Sequence, residues 1–151
     1  MSKDQWAVRF SEILMDDVKG NYESANTALL FTTPLEVFLF YWVFGGDWKL
    51  FGKIVFAGVA ASEGSMLYKY NKGFSMIEFL LFGVIAQHLY NTKKLFTLPG
   101  LAVAAASLWP LWNDPPAPGQ WKSLEGREHT AHDLHYMAMF AGVLLRWFRV
   151  V

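Results

Sequence analysis

The chain has 151 residues, 54% of them hydrophobic, 17% aromatic and 17% charged, with thirteen acids balancing thirteen Lys and Arg. It is too apolar and too neutral to be disordered, and it lacks the basic footprint of a nucleic-acid module. With no cysteine, a disulfide scaffold, a thiolate zinc site, an iron–sulfur cluster and a cysteine nucleophile are excluded, and the length fits one domain.

Residues 2–19 read as an amphipathic helix. Ser2 and Gln5 have the spacing of a capping box; Trp6, Phe10, Ile13, Leu14 and Val18 fall on one face, and Gly20-Asn21 supplies a stop. The other face carries Asp4, Glu12, Asp16 and Asp17. An anchor to anionic lipid favours Lys and Arg there, so the acids point to a protein partner or a solvated surface. They also argue against a mitochondrial presequence, and no apolar signal core follows Met1; the chain reads as mature or as targeted by internal signals.

Five apolar runs follow, at residues 27–44, 50–68, 74–90, 95–112 and 130–148. A membrane-crossing helix needs about 20 mostly apolar residues, with a range of roughly 17–25, so all five sit at the short edge. The separators are short and polar: Gly45-Gly46-Asp47, Lys69 to Gly73 and Asn91 to Lys94. A water-soluble bundle shows a polar face at a 3.6-residue period; run 95–112 shows none and run 27–44 shows little. Tyr41, Trp42, Trp48, Tyr68, Tyr70, Trp109, Trp112 and Trp147 bunch at run ends, as in an interfacial belt. The expected fold is therefore all-α, a polytopic membrane helix bundle with four to five transmembrane helices and an N-terminal amphipathic helix. The count is four if Pro99-Gly100 and Pro110 make run 95–112 kinked or re-entrant. The modest mean hydropathy of +0.22 reflects polar pieces outside the runs. One is residues 113–129, where Pro115, Pro116 and Pro118 give a stiff surface arm carrying Trp121. Lys and Arg divide too evenly between the two sides for the positive-inside rule to orient the chain.

The densest polar cluster is Glu125, Arg127, Glu128, His129, His132, Asp133 and His135, with His129, His132 and His135 at successive i, i+3 spacings. It matches no strong metal pattern, neither H-E-x-x-H nor the Glu-x-x-His of di-iron bundles. It reads as a polar helix end at a membrane surface, with a metal site, since imidazole and carboxylate suit Zn, Fe or Cu, and haem or pigment ligation as the functional alternatives. Paired axial ligation needs His88 as partner, but His88 ends run three while His132 and His135 begin run five, so five full crossings put them on opposite sides. A single His ligand to haem or chlorophyll stays open.

Charges inside the runs are candidates for function. Glu36 lies mid-run, and Lys53 is placed to reach it. Glu63, Glu78, His132 and Asp133 all fall near one surface, where they either line a polar pocket for a proton or ligand or serve as shallow structural charges. Small residues at four-residue spacing mark close helix packing: Ala57 with Ala61, Gly58 with Ser62, Ala60 with Gly64 and Ala138 with Gly142. Ser62-Glu63-Gly64-Ser65 precedes apolar runs and a later His132 followed by Ala141-Gly142. Over about a third of the chain this order resembles the rhomboid intramembrane proteases, whose serine nucleophile sits in a Gly-x-Ser-Gly-type turn. Glu63 stands where that family has small residues, so the resemblance implies at most a degenerate hydrolase.

The leading functional expectation is a non-catalytic accessory subunit of a multi-subunit membrane complex. Respiratory electron transport in the mitochondrial inner membrane is preferred, with thylakoid or bacterial inner membrane next. Its partners are other membrane subunits and lipids, and it needs no cofactor. The alternatives are a haem-, quinone- or pigment-binding subunit using His129, His132, His135 or His88, and a small transporter working through Glu63, Glu78 and His132.

Overall fold

The computed structural model describes residues 2, 3, 5, 22–65, 67–68, 75–113 and 132–151, with the backbone alone at 22–32, 75, 110 and 113. Among the described residues the chain is all-α, with five helices and no strand: α1 Tyr22–Phe44, α2 Trp48–Ser65, α3 Ser75–Asn91, α4 Leu98–Asn113 and α5 His132–Trp147. Each coincides with one apolar run, and α1 begins ahead of its run. At the N-terminus, the Ser2 backbone N–H donates to Gln5 Oε1 (2.7 Å) and the Gln5 N–H donates to Ser2 Oγ (3.3 Å), the reciprocal pair of a capping box. The face formed by Trp6 to Val18 and residues 114–129 of the proline-rich arm lie outside the described residues.

The helix ends follow from local chemistry. Gly45 adopts φ +66° and its N–H returns to the Tyr41 carbonyl at 2.7 Å, which ends α1 in the left-handed cap that glycine enters without a Cβ penalty. Two residues on, Asp47 Oδ1 accepts from the Leu50 N–H at 3.2 Å, capping the open N–H groups of α2. α3 and α5 also end in left-handed caps, but on side-chain-bearing residues, Lys93 (φ 59°) and Arg149 (φ 56°). The Lys94 N–H reaches the Leu89 carbonyl (2.7 Å) and the Val150 N–H reaches Leu145 (2.8 Å), the six-to-one bond of a Schellman motif.

Contacts between helices fix their directions. Phe40 meets Phe51, and Tyr41 meets Trp48, so α1 and α2 form an antiparallel hairpin. Glu36 meets Glu78 and Phe44 meets His88, so α1 and α3 run the same way. Phe79 stacks on His135 and His88 meets Arg146, so α3 and α5 are parallel too. α4 starts shortly after α3 ends and brings Ser107 back to Tyr136. Successive helices therefore alternate in direction. α4 is one continuous helix with Pro99 in its first turn and Pro110 in its last, so run 95–112 does not fold back on itself.

α3 is the axle of the bundle and packs against all four other helices. A helix apolar all round belongs inside, and Met76, Ile77, Phe79, Leu80, Leu81, Phe82, Val84, Ile85 and Leu89 are all buried. The surrounding helices bury one face and expose large apolar side chains on the other, including Phe38, Phe56, Leu101, Trp112, Phe140 and Trp147.

Among the described residues no helix is long and apolar enough to cross a membrane. α3, α4 and α5 have 17, 16 and 16 residues, about 24–26 Å of rise against a hydrocarbon core of ~30 Å. α2 carries Lys49, Lys53 and Glu63 within its 18 residues. The expected transmembrane segments are present as helices, of which α3, α4 and α5 are shorter and α2 more charged than a crossing requires.

Candidate functional site

The most unusual chemistry lies between α1 and α3. Glu36 is only 5% exposed, and its carboxyl meets that of Glu78 in the first turn of α3. Glu36 Oε1 and, one turn earlier on α1, Thr33 Oγ1 are shut from solvent. The sequence had pointed Glu36 toward Lys53, which is instead exposed. α2 turns Ile54, Gly58 and Ser62 inward, and a neighbour in sequence lies about 100° round the helix, so Lys53 faces outward when Ile54 faces in.

A second polar group sits at the start of α5. His132 and His135 are buried, at 2% and 7% exposure, with ring centroids 6.2 Å apart. His135 lies flat on Phe79 at 4.6 Å with a 7° interplanar angle. The edge of Phe79 meets Tyr136, whose hydroxyl donates to the Ser107 carbonyl at 2.8 Å. This chain of contacts pins α3, α4 and α5 together at one end. Among the described residues, no group of three or more His, Asp or Glu side chains is placed to hold a metal ion; His129 lies outside them.

His88 belongs to the opposite end. It stands nine residues beyond Phe79, about 14 Å along α3, so it does not face His132 or His135 as a second axial ligand. Arg146 occupies it instead: Arg146 Nη2 is 2.8 Å from His88 Nδ1. A guanidinium only donates, so Nδ1 accepts and the ring proton is on Nε2. Arg146 Nη1 donates to the Val151 carbonyl at 3.0 Å, and the guanidinium lies 5.3 Å from the Phe44 ring centroid. Sequence reasoning missed this clamp. Its signal was present: His88 and Arg146 each fall in the last turn of their helices, and alternating direction makes those turns neighbours.

Glu63, Glu78, His132 and Asp133, the expected polar pocket, lie on α2, α3 and α5. Glu78 faces Glu36. A groove of about 460 Å³ between the end of α2 and the flank of α5 is apolar, and none of those four residues lines it. Ser65 Oγ donates to the Ser62 carbonyl at 2.7 Å, and Ser62 is buried.

Of the small residues, Gly58 packs on the Ile77 backbone of α3 and Gly142 on the Leu80 carbonyl, while Gly64 faces open space. Ala57 and Ala61 flank the core. Gly83, which sequence reasoning passed over, is the reciprocal of Gly142 and lies against the Met139 carbonyl. A lone glycine in a run of large apolar residues was its only mark. Set beside known proteins, the chain matches no protein-family model, no curated protein and no solved structure.

Proposed function

We propose that this chain is a membrane-embedded helix bundle serving as a non-catalytic subunit of a larger membrane assembly, with a respiratory electron-transport complex of the mitochondrial inner membrane as the favoured class. The observation that carries this reading is the inverted distribution of side chains. Phe56, Phe140, Phe148 and Trp112 stand 76%, 63%, 72% and 82% exposed, while Glu36, Gln87, Ser107, His132 and His135 are buried. Water disfavours such an exterior, and apolar patches larger than a few hundred Å² on soluble monomers mark contact with protein or lipid. Short helices fit the same reading, because the bilayer thins or neighbouring subunits fill in around a segment below full length at a cost of fractions of a kcal/mol per Å.

The test is extraction followed by native analysis. The chain should stay with the membrane pellet after alkaline carbonate washing, and in mild detergent it should migrate in a complex of defined partners. Release by carbonate refutes the membrane placement. A stable, monodisperse monomer carrying its own activity refutes the subunit role.

A further inference from the structure

Charge in the described bundle is sorted by end. Phe44 closes α1 and meets His88, in the last turn of α3, at 4.5 Å. His88 in turn meets Arg146, in the last turn of α5, at 2.8 Å. Trp48 opens α2 against Tyr41, so the start of α2 joins these three helix ends. Every Lys and Arg described from residue 22 onward stands at this end or within two turns of it: Lys49, Lys53, Lys93, Lys94, Arg146 and Arg149. The one acid described there, Asp47, caps α2 through the Leu50 N–H. At the opposite end the described helices carry Glu23, Glu63, Glu78 and Asp133. The whole chain is neutral, so six cations against one acid here leave five more acids than cations over all its other residues.

Helix dipoles account for part of this pattern. A cation is favoured at a helix C-terminus, which suits Lys93, Lys94, Arg146 and Arg149 at the ends of α3 and α5. The same dipole disfavours a cation at an N-terminus, yet Lys49 lies in the first turn of α2, Lys53 follows one turn later, and that first turn holds no acid. Arg146 is engaged inside the bundle by His88 and the Val151 carbonyl. The other five cations are exposed. Exposed beside them are Tyr41, Trp42, Trp48, Tyr90 and Trp147, amphipathic rings of the kind that settle at the depth of lipid headgroups.

We propose that this end of the bundle sits in the headgroup layer of an anionic leaflet and collects acidic phospholipids around Lys49, Lys53, Lys93, Lys94 and Arg149. A negatively charged leaflet attracts each Lys or Arg near its surface, and the belt of Tyr and Trp holds the cations at headgroup depth. The inference rests on the membrane placement proposed above and adds which lipid the chain selects and at which end.

The test reconstitutes the purified full chain into vesicles of phosphatidylcholine alone and of phosphatidylcholine with phosphatidylglycerol in equal parts, recovered by flotation. In the mixed vesicles one lipid or the other carries brominated acyl chains, which quench nearby tryptophan; Trp42, Trp48 and Trp147 report this end. Brominated phosphatidylglycerol should quench about twofold more strongly than brominated phosphatidylcholine, and the excess should fade in high salt. Combining Lys49→Gln, Lys93→Gln, Lys94→Gln and Arg149→Gln should abolish the excess in a variant folded by circular dichroism. Equal quenching of the wild-type chain by the two lipids overturns the proposal whether or not the variant folds, as does an excess that survives in the folded variant. Flotation with pure phosphatidylcholine together with equal quenching keeps the membrane placement and leaves an acidic protein surface as what the cations face. Flotation with the anionic vesicles alone, reversed by salt, keeps the anionic docking and refutes the embedding. Flotation with neither overturns both.

Discussion

Gly142→Ala should be among the most damaging single-methyl additions in this protein. A Cβ at Gly142 lies 3.0 Å from the Leu80 carbonyl carbon and 3.1 Å from the Val84 nitrogen, with the Leu80 oxygen nearer still, and a Cβ at Gly83 meets the Met139 carbonyl in the same way. All of these obstacles are backbone, so no rotamer change relieves them. The parallel helices α3 and α5 must separate by on the order of 1 Å, in an interior packed as densely as an organic crystal. That separation loosens the Phe79–His135 stack and the core around Leu80, Val84 and Ala138. Overpacking costs typically 1–3 kcal/mol; with backbone on both sides, about 3 kcal/mol is expected, and a drop in Tm of roughly 6–12 °C for a chain of this size. Gly52→Ala is the internal control. Nothing lies within 4 Å of a Cβ there, and the residue is exposed within α2, so exchange for a better helix former should stabilise by up to ~1 kcal/mol. Thermal unfolding in mild detergent, followed by far-UV circular dichroism, measures both. Equal effects of the two substitutions, or a Gly142→Ala variant with wild-type Tm, refute the close α3–α5 contact.

Other perturbations test other parts of the structure. Asp47→Ala removes the cap on the Leu50 N–H and should cost about 1 kcal/mol in the same melt, with Asp47→Asn or Asp47→Ser largely restoring it. Arg149→Gly relieves a left-handed backbone at φ 56° and should stabilise by roughly 1 kcal/mol, whereas Arg149→Val should destabilise. Arg146→Ala breaks the bonds to His88 and the Val151 carbonyl together and should cost about 2–3 kcal/mol in denaturant titration. Arg146→Lys should not rescue it, because an ammonium lacks the planar fork that serves both acceptors. Tyr136→Phe removes one hydrogen bond to the Ser107 carbonyl and should cost about 1 kcal/mol; a larger loss means that the hydroxyl serves more than this one carbonyl.

Much was legible in the residues themselves. The five apolar runs became five helices with nearly the expected bounds, because helix formation follows local patterning and the breaks at Gly45 to Asp47 and Asn91 to Lys94 carry their own cap and turn chemistry. Ser2 and Gln5 formed the capping box for the same reason. Gly58 and Gly142 were found as packing residues because a small side chain at four-residue spacing is a local sign of close approach. What the runs could not carry was which face of each helix meets which neighbour. α1 and α3 are so apolar that no face stands out, so the rotation that brings Glu36 to Glu78 and sends Lys53 outward was invisible. Gly83 was hidden likewise, since its meaning lies in the Met139 carbonyl of another helix. The sequence by itself determined the helices, their ends and their apolar character. The tertiary structure alone decided that the other helices pack around α3 and which side chains meet there, the acid pair and the His88–Arg146 contact among them, because those depend on rotation and neighbour choice, which local free energies leave nearly degenerate and packing resolves.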